Sequence, residues 1–104
     1  MMTEVKLGKT LKELRNLLGV SQARFAEMAG VAEHTICLVE SGSRAVHNST
    51  LEPIAVALGV DASVIRLLSD DSQDPFVVKL QELGLRNCRN KVKYRAKRLL
   101  EQND

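Results

Sequence analysis

Six residues of one short segment carry side chains suited to reading a chemical pattern: Ala32, Glu33, His34, Cys37, Leu38 and Ser41. Within AEHTICLVES, Ile36 and Val39 stand three apart and share one face of a helix. At about 100° per residue, taking that pair as inward turns His34, Cys37, Leu38 and Ser41 outward. Glu33 then lies on the flank and Ala32 at the leading end. On a helix lodged in a DNA groove such a set would face the edges of base pairs. A glutamate accepts from cytosine N4, a leucine touches a thymine methyl, and a histidine donates to a base acceptor or a phosphate. Each well-made pair discriminates by about 1–3 kcal/mol. The competing reading for each position is a solvated side chain, because only part of an outward face reaches a base.

The flanking residues say how that helix is held. SQARFAEMAGVAEHTICLVESG, 21–42, reads as helices over 22–29 and 32–40 around a turn at Gly30. Ser21 is a good N-cap, and Val20 and Phe25 can staple that start. Ala26 allows a close crossing, and Gly42 closes the second helix as a left-handed C′ residue. Two crossed helices with one buried face leave the other face of the second free to enter a major groove. Ahead of them, Leu7, Leu11, Leu14 and Leu18 make one helical stripe, ended by Gly19. SGSRAVHN is a loop, and Arg44 beside Ser43 is its candidate phosphate contact. A fourth helix is expected from Ser49, boxed by Glu52, with Pro53 in its first turns and Gly59 at its end. Asp61 caps a fifth over 62–68.

Residues 69–75 read as a linker, and Asp74-Pro75 opens a further helix at Phe76 that Gly84 is expected to break. Beyond it, Leu85, Cys88, Val92, Ala96 and Leu99 keep a helical stripe. Seven basic and no acidic residues fall between Leu83 and Leu100, whereas residues 1–68 carry seven of each sign. Three roles suit this basic 76–104 extension: a dimer helix with Leu85, Val92, Ala96 and Leu99 in its seam, an arm on the DNA backbone, or a helix packed on its own domain. The first two together are the expectation.

Taken in order, L-x3-L-x2-LR, GVSQ, FA-x3-GV, TI-x3-E-x-G and L-x2-IA-x-ALGV make residues 7–65 resemble the lambda-repressor-like (Cro/repressor, XRE) family. The resemblance implies an all-α, five-helix helix-turn-helix domain, read here over 1–68, to which the pattern of 76–104 adds the helical extension. It implies binding of double-stranded operator DNA, usually as a homodimer, and regulation of transcription. Gln22 matches the position whose side chain contacts a phosphate, where a helix N-terminus adds free amides. The other reading of Gln22 is an exposed glutamine with no role. Arg15 and Glu40 match a helix-one arginine paired with a glutamate late in the recognition helix.

Composition bounds the rest. A chain of 104 residues accommodates one small domain and an extension, and 44% apolar content with no Trp calls for an aliphatic core. Lysines interrupt the first leucines, so no secretory segment is expected, and no run nears the roughly 20 apolar residues of a membrane span. Cys37 and Cys88 lack ligand spacing, so neither a metal site nor a disulfide is expected, and a reducing cytoplasm fits. Cys37 on the outward face admits redox sensing, against the plainer reading of a small side chain. No nucleophile–base pair or phosphate loop suggests an enzyme or a cofactor. The alternative class keeps the fold and drops DNA: a protein-interaction module or antitoxin that grips a partner through 76–100.

Overall fold

Leu7, Leu11, Leu14 and Leu18 are each under 5% exposed, so the first helix is anchored along one stripe. Each fully buried leucine contributes about 1.5–3 kcal/mol. The computed structural model describes residues 2–102, and among them there are six helices and no strand. They are α1 (Met2–Leu18), α2 (Gln22–Ala29), α3 (Glu33–Ser41), α4 (Asn48–Leu58), α5 (Ala62–Leu68) and α6 (Pro75–Gln102). The core is aliphatic around one aromatic: Phe25, Ile36, Leu51, Ile54, Leu58 and Ile65 are at most 1% exposed.

α1 starts at Met2, more than a turn before the first leucine of its stripe. Tertiary contact holds the added turn. Gly42 takes φ +75° at the end of α3, and a Cβ there would lie 2.8 Å from Val5 Cα. A left-handed C-cap and a close backbone crossing thus fall on one glycine.

The fourth helix differs from its sequence signal. Its N-cap is His47, without a side-chain cap, so Ser49 and Glu52 lie inside the helix and form no capping box at its start. Arg66 of α5 reaches the Val46 carbonyl and donates to Asn48 Oδ1 at 3.3 Å, which clamps the chain where the helix starts, two residues earlier than expected. Pro53 therefore falls in the second turn, where its missing N–H costs α4 a hydrogen bond.

Asp61 and Asp74 act as read: their carboxylates accept from the N–H groups of Ser63 and Phe76 at 2.7 and 2.8 Å. Gly84 does not break α6, which runs unbroken for 28 residues. A Cβ on Gly84 would meet Val64 and Leu68 side chains at 3.3 and 3.4 Å, so the glycine lets α6 lie close on α5. No helix among the described residues is long and apolar enough to cross a membrane.

Candidate nucleic-acid interface

Ser21 opens α2 in extended conformation, and its hydroxyl accepts from Arg24 N–H at 3.1 Å. The left-handed Gly30 ends that helix and turns the chain into α3, which packs principally on α1 and α2. Ile36 and Val39 are each 1% exposed and face these neighbours. On the other side Ala32, Glu33, His34, Cys37 and Ser41 are exposed, forming one open face. Leu38, expected outward, is half-buried on the flank. The Ser41 hydroxyl donates to the Leu38 carbonyl at 3.0 Å and lies 2.8 Å from Ser43 Oγ. Both hydroxyls therefore brace the end of α3 in this conformation. Arg44 follows, exposed and without an ion pair among the described residues.

The bracing of α3 is ionic as well as apolar. Arg15 Nε donates to Glu40 Oε2 at 2.6 Å and Nη2 to Oε1 at 3.1 Å, while Nη1 donates to the Val20 carbonyl at 2.9 Å. Both side chains are over nine-tenths buried. A two-pronged arginine–carboxylate pair fixes orientation as well as distance, so α1, the start of α2 and the end of α3 are held at one node. Gln22 belongs to that node: its Nε2 donates to Glu40 Oε1 at 3.0 Å. It is half-buried rather than exposed, and its amide nitrogen is directed at a carboxylate. Nothing local to Gln22 announces this tie, because its partner stands 18 residues away.

α1 passes between α3 and α6. Val5, Gly8 and Arg15 meet α3, whereas Lys6 and Glu13 lie on the other side, toward α6 and the linker. Arg89 of α6 holds Glu13 by two bonds of 3.1 and 2.9 Å. The stripe weighed as a dimer seam points the same way. Cys88 and Val92 are at most 1% exposed within the chain itself, and Leu85, Ala96 and Leu99 pack around that core. This corresponds to the third role considered for the extension, a helix packed on its own domain. The sequence could show that the stripe is apolar, but not whose surface it covers.

Two basic residues of the extension serve the fold: Arg89 at Glu13, and Arg95, whose Nε donates to the Ala57 carbonyl at 2.7 Å near the end of α4. Among the described residues no group of His, Cys, Asp and Glu stands ready to hold a metal ion.

A family model described as a helix-turn-helix domain matches residues 6–68, the segment from α1 to α5. No curated protein and no solved structure matches the chain.

Proposed function

Because this chain belongs to the helix-turn-helix domain family, in its lambda-repressor-like group, we propose that it is a sequence-specific transcriptional regulator, acting as a repressor. The observation that carries this reading is the open face of α3. Five of its side chains are exposed while Ile36 and Val39 are buried beneath them. That helix enters the major groove with Ala32, Glu33, His34 and Cys37 toward the bases, and Arg44 takes a phosphate. Two copies read a two-fold operator, one half-site each, with their α3 helices about 34 Å apart. Cys88 and Val92 are buried within each copy and Leu85, Ala96 and Leu99 partly so, which leaves little of that stripe for a dimer seam; in this reading the pair forms on the DNA. The protein works in the cytoplasm, without cofactor or catalysis.

Selection from random duplex DNA at physiological salt tests this. Enrichment of a dyad-symmetric site, lost in His34→Ala with the fold intact, is the expected result. Binding no tighter than to random duplex would overturn it.

Gripping a protein through 76–100, the alternative reading, does not compete for the same surface. The outer face of α6 and the open face of α3 lie on opposite sides of α1, so both can be engaged at once.

A further inference from the structure

The outward side of α6 carries a second pattern, directly opposite the stripe that enters the core. Phe76, Leu80, Leu83, Asn87, Asn90 and Tyr94 follow one another at alternating steps of four and three. That is the 3.5-residue spacing of a helix–helix seam, with Leu80, Asn87 and Tyr94 at one core position and Phe76, Leu83 and Asn90 at the other. All six are exposed: Phe76 is 70% exposed, Leu83 48% and Tyr94 64%. Among the described residues nothing covers Phe76, Leu83 or Tyr94, and Leu80 is 37% exposed, although large apolar side chains at such regular spacing suit burial.

The residues bordering this seam decide what covers it. Lys79, Arg86 and Lys93 run along one edge and Lys91 and Arg98 along the other, so every charged edge position is basic. Edge positions of paired helices face each other and set partner choice. A second copy in either direction would oppose cation to cation. A helix with acidic edges would pair with these cations, of which, among the described residues, Lys79 alone has an ion-pair partner on its own helix, Glu82 at 3.7 Å. A nucleic-acid backbone matches the cations but leaves Phe76, Leu80 and Leu83 without an apolar counterpart. We infer that the outward face of α6 is a docking surface for an acidic amphipathic helix of another protein. Phe76, Leu80 and Leu83 receive its apolar residues, Asn87 and Asn90 pair with polar ones and set the register, and the basic edges select the partner by charge. A buried asparagine in such a seam lowers stability and specifies alignment.

The test uses the full chain and a synthetic helix of about three heptads. It has leucines opposite the apolar half of the seam, glutamines opposite Asn87 and Asn90, and glutamates along both edges. In fluorescence anisotropy at physiological salt it should bind with micromolar affinity. Affinity should fall at least tenfold when its glutamates become lysines. The same loss should follow Leu80→Ser with Leu83→Ser in the protein, whose exposed positions leave the fold intact by circular dichroism. Absence of binding at ~100 µM peptide would overturn the inference. So would affinity indifferent to the leucines and matched by random duplex DNA, which would mark a charge track. A dimer in sedimentation that the two serine substitutions dissociate would overturn it too, by giving the surface to a second copy. Operator selection reads α3 alone, so each of these failures leaves the DNA-binding proposal standing.

Discussion

A Cβ built on Gly8 would stand 2.7 Å from the carbonyl oxygen of Glu40, and closer still to that of Val39. Helix α1 thus rests by its bare backbone on the last turn of α3. A contact this short involves backbone on both sides, so no side-chain rotation relieves it.

Replacing Gly8 by alanine sets two effects against each other. Helix propensity favours alanine by about 1 kcal/mol. Forcing two helices apart in a packed core costs about 1–3 kcal/mol, and here the obstruction is backbone. We expect Gly8→Ala to lower stability in urea unfolding and to weaken operator binding, since α3 must shift. A more stable protein would mean that propensity outweighs the crossing.

Arg15→Ala should be more damaging. It leaves Glu40 buried beside Gln22 without its cation, and breaking such a pair costs about 3–5 kcal/mol. Replacing both charges, Arg15→Met with Glu40→Leu, should restore most of that loss, because a buried pair rarely outperforms well-packed apolar residues. Thermal unfolding of the three proteins checks the order. An Arg15→Ala protein melting with the parent would show that the node does not hold the helices.

The parts that the chain announced in advance are those whose causes are local. The leucine stripe of α1, the Ser21, Asp61 and Asp74 caps and the inward Ile36–Val39 pair each depend on neighbours within a turn or two. What was missed depends on distant contacts. Ser49 and Glu52 had the composition of a capping box, but Arg66 pins the helix start at Asn48. Gly84 looked like a breaker and is a crossing point with α5. At the candidate interface the outward positions followed from periodicity, whereas the tie between Gln22 and Glu40 did not. An isolated glycine inside the α1 pattern was the available signal for the Gly8 crossing.

The two cysteines should separate cleanly by reactivity. Cys37 is exposed on the open face of α3, and Cys88 is buried. Burial pushes the Cys88 thiol pKa up, with Asp61 adding to the rise and Lys91 opposing it, so little thiolate forms there near neutrality. A thiol reagent on the native protein should modify Cys37 quickly and Cys88 only at the rate of local opening. The Cys37 adduct should abolish operator binding, and Cys37→Ser should protect it. Equal labelling rates would contradict the burial of Cys88, and an adduct at Cys37 that still binds would remove that residue from the DNA face.

Salt dependence can locate α6 relative to the bound duplex. Each phosphate contact adds about 0.9 to the slope of log affinity against log salt. Arg44 is the one cation assigned to a phosphate, so the total slope should be shallow. Arg44→Ala should reduce it by about one contact, with similar loss on every sequence. Lys93→Ala with Lys97→Ala should leave it unchanged, because α6 lies across α1 from α3. If that double substitution instead removes nearly two units of slope, the basic helix touches the same DNA, and the duplex must wrap further around the domain than α3 alone requires.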